Sequence, residues 1–475
     1  MTDSIVENEN DSLVVCENSQ GVAVRATLLR MTRYTASFEV YNPYSILQLS
    51  EVLSSFRIIV SGKILYSGRG IVSNMVNTGI VLVCEATLDE ENWLDIDILS
   101  PAGQLDRLAT DFERLLIEWE KVEQVAPELK VVVSDMQTLL TDIRRWLEHV
   151  ELAIRSSPPS ERAELELSLV GRINSLIYPA VEKIFVRFEA VADTVKEETV
   201  AVHRAYARRQ MHPILLCSPF LHRTFQKPLG YAGDYEMVNM ILRDPAEGSS
   251  LFAKLLNARL LAMAPAEAHR NRVKYLTDML SKELRRRAKQ GLNTRIFNLG
   301  CGPAMEVQNF LAFDDLCDRA ELALLDFNDE TLERTGAILN DIKMKNRRGT
   351  RLHMIKRSVH QILKEGARIG KTDTGSSYDV VYCAGLFDYF SDRICARLLE
   401  IFYEMLAPGG LLIATNVEPS NPDRVKMEYL MDWHLIYRTG AQLRALVPKN
   451  VPADQCQVKA DVTGVNVFLE IHKPQ

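Results

Sequence analysis

The 475-residue sequence has no apolar run that approaches the roughly 20 residues needed for a membrane-spanning helix. Its first residues, MTDSIVENENDS, are polar and acidic, unlike a secretory signal. The eight cysteines are scattered and include no C-x-x-C pair, which argues against a zinc site and against a disulfide framework. These absences predict a cytoplasmic protein with reduced thiols, no integral membrane segment and no bound metal.

The chain also has no surplus of positive charge. Lysine and arginine number 56 against 63 aspartates and glutamates, a formal net charge of −7, so we expect no nucleic-acid partner. The basic run ELRRRAKQG at 283–291 suits the last turn of a helix, where basic side chains favour the dipole. A functional basic patch there is the alternative. The composition is 47% hydrophobic and 25% charged, as in globular proteins, and the length allows two to four domains.

Residues 13–90 contain short stretches rich in valine, isoleucine and tyrosine, such as VAVRATLLRM, ASFEVYNP and TGIVLVCEATL. Turn signals separate them at Ser61-Gly62, Ser67-Gly68 and Asn77-Thr78-Gly79. Short strands at regular spacing predict a small β-barrel or sandwich. We place this domain at 13–100, after a disordered N-terminus at 1–12.

From residue 104 the apolar residues recur every three or four positions, which predicts amphipathic helices. The pattern covers Leu105 to Val122 and Val133 to Val150, and two further helices follow at about 160–190 and 195–211. The sequence therefore predicts an α-helical segment over 104–215, which either packs within the chain or pairs with a second copy in a homodimer. It contains no Glu-x-x-His pairs of the kind that di-metal bundles use.

Strands and helices alternate from about residue 270, which predicts a parallel sheet with helices on both faces. Five strands are expected at 294–299, 321–326, 351–356, 379–384 and 410–416. The C-terminal stretch CQVKADVTGVNVFLEIHK adds two strands joined by a turn at Thr463-Gly464, so we expect the last strand to be antiparallel. We place this α/β domain at 270–475 and its N-terminal extension, which includes a lid, at 216–269.

The stretch RIFNLGCGPAMEV at 295–307 predicts a strand, a glycine loop and a helix. Gly300 and Gly302 allow a sharp turn and close approach of the backbone to a ligand, while Ala304 replaces the third glycine of the dinucleotide fingerprint. Asp326 ends the next strand, where an acid can bind ribose hydroxyls. Helix capping is the alternative, but Asn328 is better placed for it. The ligand could be a nicotinamide, a flavin or S-adenosylmethionine.

Four segments resemble class I S-adenosylmethionine-dependent methyltransferases over about 270–472: FNLGCGPA, LLDFN, SYDVVYCAGLFDYFSD and MLAPGGLLIATNV. The resemblance implies a Rossmann-like fold with a seven-stranded sheet ending in an antiparallel hairpin, S-adenosyl-L-methionine as cofactor, and methyl transfer. Asn298 replaces the commoner acid before the loop, and Glu306 could supply a carboxylate to the amino group instead. The other implied cofactor contacts are Gly300, Cys301, Gly302, Asp326, Phe327, Asn328, Ser358, Val359, Ala384, Gly385 and Leu386.

Methyl transfer mainly requires that donor and acceptor be aligned and water excluded. A carboxylate acceptor needs no base, whereas a hydroxyl or an amine usually does. Within GLFDYF, Asp388 and Tyr389 are candidate catalytic residues, and Phe387 or Tyr389 could form the wall beside the methyl group. A packed aromatic helix start is the alternative.

The segment EPSNPDRVKMEYLMDWHLIYRTG at 418–440 follows the fifth strand, where substrate-shaping elements commonly lie. Its apolar and aromatic side chains, including Trp433 and Tyr437, predict contact with a lipophilic substrate, and Arg438 could pair with a carboxylate. Core packing is an equal alternative. We expect His434 to be a hydrogen-bonded structural histidine rather than a base.

The stretch QKPLGYAGDYEM at 226–237 predicts a lid over the site. Gly230 and Gly233 would be its hinges and Tyr231 its plug. Lys227 is a candidate substrate contact, and Tyr231, Asp234 and His222 are candidate catalytic residues, with Asp234 or His222 as a base. The alternative is that Asp234 caps the following helix.

At a finer level QKPLGYAGDYEM and MDWHLIYRT, with the motifs above, resemble bacterial proteins of extracellular-factor, 3-hydroxypalmitic acid methyl ester, biosynthesis. This resemblance implies methylation of a 3-hydroxy fatty acid carboxyl to give a quorum signal. The N-terminal strands resemble a PilZ-like domain. Arg25, Arg30 and Arg33 do not have the R-x-x-x-R spacing that cyclic di-GMP binding needs. We therefore expect a degenerate interaction or regulatory module.

Overall fold

The computed structural model describes residues 12–40, 47–60, 63–77, 82–89, 92–93, 124–366 and 377–475. The helix predicted over 105–122, the turn at Ser61-Gly62 and residues 1–11 lie outside this part of the chain.

The N-terminal strands form a closed antiparallel barrel in the order β1-β2-β3-β6-β5-β4, with β4 pairing back onto β1. Alternate side chains point inward as the period of a strand requires. The rings of Phe38 and Phe56, for example, meet in the interior with centroids 5.8 Å apart. The predicted small barrel is thus confirmed. Its strands are β1 Leu13–Glu17, β2 Ala23–Met31, β3 Thr35–Val40, β4 Val52–Val60, β5 Lys63–Asn77 and β6 Leu82–Leu88.

A set of helices follows the barrel. The first two begin with a proline in the first turn, where the missing N–H costs no hydrogen bond. Trp146, Leu152 and Leu176 on these helices are more than half exposed; pairing with a second copy stays a prediction. The helices are α1 Pro127–Arg155, α2 Pro159–Ala192, α3 Val200–Leu215, α4 Pro219–Gln226, α5 Tyr235–Leu242, α6 Leu251–Leu261 and α7 Ala264–Ala288.

The C-terminal part contains a seven-stranded sheet in the order β12-β13-β11-β10-β7-β8-β9. The five strands from β11 to β9 are parallel, whereas β13 is antiparallel to both of its neighbours. This is the predicted Rossmann-like sheet with its terminal hairpin. The strands are β7 Thr294–Leu299, β8 Ala320–Asp326, β9 Arg351–Lys356, β10 Tyr378–Cys383, β11 Leu406–Val417, β12 Cys456–Ala460 and β13 Asn466–His472.

Helices α8 Met305–Phe313, α9 Asp329–Lys345, α10 Val359–Glu365 and α11 Asp392–Met405 connect the parallel strands. Two shorter helices, α12 Arg424–Leu430 and α13 Gly440–Ala445, follow β11. Two apolar clusters include side chains of the sheet and of its helices. Among the described residues, no helix is both long and apolar enough to cross a membrane.

A third apolar cluster runs from the barrel interior through the helices to the segment after β11. It includes Phe56 of the barrel, Phe188 of α2 and Met427 of α12. The ring of Phe188 meets Tyr429 edge to face, with centroids 5.6 Å apart. The barrel and the helices are therefore packed onto the segment that flanks the carboxyl ends of the parallel strands.

Candidate functional site

The glycine loop turns sharply after β7. Gly300, Gly302 and Ala304 all have positive φ, at 72°, 50° and 49°, and glycine adopts this region without the cost that a Cβ brings. The N–H groups of Gly300 and Cys301 donate to the carbonyl of Leu325 at 2.8 and 3.0 Å. A Cβ on Gly302 would meet nothing within 4 Å. The loop is thus tied to β8, and at Gly302 it borders open space.

Asp326 stands at the end of β8, buried beside the loop. One carboxylate oxygen accepts from the Gly302 N–H at 3.1 Å and the other from the Asn328 N–H at 3.1 Å. Burial raises the pKa of Asp326. Asn328 caps α9 by accepting from Thr331, so Asp326 is not the cap. Its carboxylate has lone pairs left for a ligand.

Three polar side chains lie under the loop. The Tyr382 hydroxyl donates to the Glu306 carboxylate at 2.7 Å, and the Asn298 side-chain amide donates to the same oxygen at 3.3 Å. Burial raises the pKa of Glu306. The buried Oδ1 of Asn298 has no hydrogen-bond partner among the described residues. This group of acceptors suits a cationic amino group.

Sequence reasoning missed two residues of α7, His269 and Arg272. The Arg272 guanidinium lies 2.8 Å from His269 Nδ1, and the Asp388 and Glu306 carboxyls are near enough to counter the lowering of its pKa by burial. Burial lowers the pKa of both groups, and for His269 it does so strongly, so the imidazole is neutral and accepts from the arginine. The sequence contained a signal for Arg272, because this residue lies on the apolar stripe of its helix, four residues before Leu276. A charged side chain is rarely buried on such a stripe without a functional or structural partner.

Two adjoining cavities lie at this edge of the sheet. The first, here called the glycine-loop cavity, encloses about 900 Å³ including space open to solvent. Nine of the predicted cofactor contacts line it, namely Gly300, Cys301, Gly302, Glu306, Asp326, Phe327, Ala384, Gly385 and Leu386. Asn298, Tyr382, His269 and Arg272 line it too, which brings the polar groups above into one space.

The second, here called the apolar cavity, encloses about 740 Å³, again including space open to solvent. Its walls include the side chains of Phe220, Met237, Ile241, Leu260, Met263, Met427, Met431 and Trp433. Six residues border both cavities, namely Gly233, Val238, His269, Arg272, Gly385 and Tyr389. The Arg272 guanidinium lies close to Gly385, since a Cβ added to Gly385 would be 2.8 Å from either of its terminal nitrogens. Arg272 is therefore the cation at the boundary between the cavities.

Part of the predicted lid borders both cavities. The ring of Tyr231 lies against that of Phe327, with centroids 5.0 Å apart, and lines the glycine-loop cavity. Gly233 has a φ of 75°, and a Cβ there would lie 2.8 Å from the Tyr389 hydroxyl. Burial and the nearby Asp326 carboxyl raise the pKa of Tyr231 well above its usual value. Its hydroxyl therefore stays protonated and is unsuited to act as a base.

The structure also brings Asp388, Tyr389 and Trp433 to the apolar cavity. The Trp433 indole N–H donates to the Tyr389 hydroxyl at 3.0 Å. The Asp388 carboxylate accepts from the Val417 N–H at 2.6 Å, and burial raises the pKa of this carboxyl. Asp388 and Tyr389 belong to a 3₁₀ turn after β10, Phe387–Tyr389.

Three candidates from the lid region line neither cavity. Asp234 caps α5, accepting from the Met237 N–H at 2.8 Å, and pairs with Arg223 at 2.9 Å. His222 is exposed on α4. Lys227 ends α4 in a left-handed conformation with its ammonium buried, and burial lowers its pKa to about 8. The capping of α5 by Asp234 is thus observed, and a base role for Asp234 or His222 stays a prediction.

The candidates Phe387, Tyr437 and Arg438 also lie away from both cavities. Phe387 is fully buried in the sheet core. Arg438 is buried and donates to the carbonyls of Phe387 and Phe390 and to the side chain of Asn416, so its guanidinium is hydrogen-bonded within the protein. The ring of Tyr437 packs under the Arg424 guanidinium. Tyr437 and Arg438 thus match the core-packing alternative for 418–440, and Phe387 matches the packed aromatic alternative for GLFDYF.

The remaining expected cofactor contacts lie at the starts of two helices. Asn328 caps α9, and Ser358 caps α10 in a capping box with Gln361. Val359 is buried behind that cap. None of Asn328, Ser358 and Val359 lines the glycine-loop cavity. His434 hydrogen-bonds Asp432 at 3.0 Å, as expected for a structural histidine.

No family model matches the sequence, and no curated protein matches it. Among solved structures, a possible exported protein from Bordetella parapertussis is 17% identical, covers 67% of this chain and 100% of that one, and gives a TM-score of 0.40. Magnesium protoporphyrin IX methyltransferase (ChlM) from Synechocystis PCC 6803 with bound SAH is 9% identical. The match covers 43% of this chain and 84% of that one and gives a TM-score of 0.30. The N-methyltransferase NodS from Bradyrhizobium japonicum WM9, in complex with S-adenosyl-L-homocysteine, is 12% identical. The match covers 53% of this chain and 100% of that one and gives a TM-score of 0.31. All three TM-scores lie below 0.5, so these likenesses carry no argument about the function of this chain.

Proposed function

We propose that this protein binds S-adenosylmethionine in the glycine-loop cavity and transfers its methyl group to a small acceptor in the apolar cavity. One observation carries the proposal. A single cavity contains a ribose-binding type of acid at Asp326 and, beside the Glu306 carboxylate, the buried Oδ1 of Asn298, which has no hydrogen-bond partner among the described residues. A nucleoside joined to an amino acid is complementary to such a set.

The residues fit the donor part by part. Asp326 would accept from the ribose hydroxyls, since the Gly302 and Asn328 N–H groups already hold its carboxylate in place. The Oδ1 of Asn298 and the Glu306 carboxylate would accept from the amino group. The rings of Phe327 and Tyr231 offer apolar surface for the purine.

When bound, S-adenosylmethionine supplies a methyl carbon on a positively charged sulfur, and a carboxylate oxygen can displace that sulfur without a proton being removed. Arg272 would bind and orient the acceptor carboxylate, because it is the cation at the boundary between the cavities. Tyr389 and Trp433 would exclude water from the same boundary. A carboxylate acceptor needs no base, and the Asp388 carboxylate would hold the Val417 N–H and face the Arg272 guanidinium.

The finer proposal is that the acceptor is a 3-hydroxy fatty acid and the product its methyl ester. The walls of the apolar cavity support it, because four methionines, Met237, Met263, Met427 and Met431, face it together with leucine and aromatic side chains. Methionine side chains are flexible and adapt to alkyl chains of different shape. A protein acceptor or a polar amine would not need this lining.

The test is incubation of the protein with methyl-labelled S-adenosylmethionine and 3-hydroxy fatty acids of increasing chain length, with the matching alcohols and amines as controls. We expect label in the methyl esters only. For Arg272→Gln we expect the KM for the acid to rise about tenfold or more while the Kd for the donor changes little, with partial recovery in Arg272→Lys. Label in protein or amines, or a selective loss of donor binding in Arg272→Gln, would contradict the carboxylate assignment.

A further inference from the structure

A segment of the barrel reaches the proposed active site. Residues 47–51, which lead into β4, cross to the C-terminal part of the chain. The Leu49 N–H donates to the Tyr389 carbonyl at 3.2 Å, and the Ser50 hydroxyl bonds both the N–H and the carbonyl of His434. The Val52 N–H donates to the Gly230 carbonyl of the lid at 2.6 Å. We call residues 47–52 the barrel bridge.

Gln48 in this bridge lines the glycine-loop cavity, although it comes from a different domain than the other polar groups there. The residue is only 5% exposed. Its backbone N–H donates to the Glu51 carboxylate at 2.8 Å, which fixes the main chain. Its side-chain amide makes no hydrogen bond to any other described residue. Because Gln48 lines the cavity, its side-chain amide is placed to bond a polar ligand there.

We infer that Gln48 binds the methyl donor. Through this residue and the barrel bridge, the N-terminal barrel forms a wall of the active site and holds the lid over it. The inference rests on the proposed function for the identity of the donor. The amide can both donate to and accept from the polar groups of a nucleoside. The barrel bridge places it there through its bonds to Tyr389, His434 and Gly230, so the barrel position determines whether the cavity is complete.

The experiment uses the full chain and compares Gln48→Leu with Gln20→Leu, a matched change at the other barrel glutamine, which lines neither cavity. Isothermal titration with S-adenosylmethionine and with S-adenosylhomocysteine should show about tenfold weaker binding for Gln48→Leu, as loss of one or two hydrogen bonds implies. Gln20→Leu should bind like the wild type. Slow hydrogen exchange at the Val52 amide in both ligand-free variants would show that the barrel bridge keeps its place.

A Kd for Gln48→Leu within twofold of the wild type would overturn the inference and leave the proposed function standing. If the wild type binds neither compound, both the inference about Gln48 and the proposed function are wrong. If Gln48→Leu loses protection at Val52, then Gln48→Glu, which keeps the size and one acceptor, serves as the second variant. Binding by Gln48→Glu equal to that of the wild type would equally overturn the role of the amide.

Discussion

The ring of Tyr231 lies against the ring of Phe327, with 5.0 Å between centroids and 57° between planes. This contact joins the lid to the residue that follows Asp326, so the ring rather than the hydroxyl should matter for donor binding. We expect Tyr231→Phe to bind S-adenosylmethionine within about twofold of the wild type and Tyr231→Ala about tenfold more weakly, as loss of an aromatic pair implies. Titration calorimetry measures both, and equal losses in the two variants would return the role to the hydroxyl.

Asp326 should contribute to donor binding through its charge. In Asp326→Asn the contact with Gly302 can persist, but a charge-assisted hydrogen bond to the ribose becomes a neutral one. We expect the Kd for S-adenosylmethionine to rise about 10- to 100-fold. The control is Asp329→Asn, three residues on, where the acid lies in the exposed first turn of α9. A similar loss in both variants would mean that the charge acts at a distance and not by contact.

Gly385 should be irreplaceable because a side chain would displace Arg272. In Gly385→Ala the Cβ would lie 2.8 Å from both terminal guanidinium nitrogens, at a φ of 78°. We expect kcat/KM for the acceptor to fall by more than tenfold, together with a loss of about 1–2 kcal/mol in stability from the left-handed backbone. Gly464→Ala has a φ of 75° and nothing within 4 Å of its Cβ. This control should lose stability and keep activity, and a fall in its activity would show that backbone strain alone explains the first result.

Asp234 should act on stability and not as a base. Its carboxylate caps α5 and pairs with Arg223. We expect Asp234→Ala to lose about 1 kcal/mol or more of stability, since loss of a cap costs about that much. Asp234→Asn keeps the cap and should lose less. Thermal unfolding measures the order, and a steep fall of kcat in Asp234→Asn at unchanged stability would restore a catalytic role.

Glu51 should make stability depend on pH. Its carboxylate is buried and accepts from the N–H of Ser19 at 2.9 Å, from the Ser19 hydroxyl and from Gln48, and burial raises its pKa to about 7. Because the folded pKa exceeds the unfolded one, the contribution to stability is complete below pH 4.5 and is lost as the pH rises through about 7. The linked change is on the order of 3 kcal/mol.

Urea denaturation of the wild type at pH values from 5 to 8 should therefore show a falling free energy of unfolding. In Glu51→Gln, which carries no titratable group, that part of the slope should vanish. The Cys16 thiol lies near Glu51, but burial raises its pKa to about 12, so it does not titrate in this range. An unchanged slope in Glu51→Gln would assign the pH dependence to other groups.

Much of the fold was predictable because local patterns determine it. The helix and strand periods predicted the barrel, the helices and the alternating sheet, and β9 has the predicted bounds, 351–356. The glycine loop and Asp326 were predictable for the same reason: a strand, a tight turn and a helix in sequence place them together. Residues far apart in sequence were harder. The motifs around Arg438 and Phe387 predict that both side chains lie in the site, but tertiary packing buries them in the core.

The sequence by itself determined which segments are strands and helices, and that a glycine loop and an acid meet at the end of a parallel sheet, because both follow from neighbours along the chain. Only the tertiary structure decided what surrounds that loop. Arg272 of α7, Tyr231 of the lid and Gln48 of the barrel line one cavity with Asp326, although they are separated by up to 278 residues. Long-range packing of the barrel and helices onto the segment after β11 brings them there, and no local period encodes such a contact.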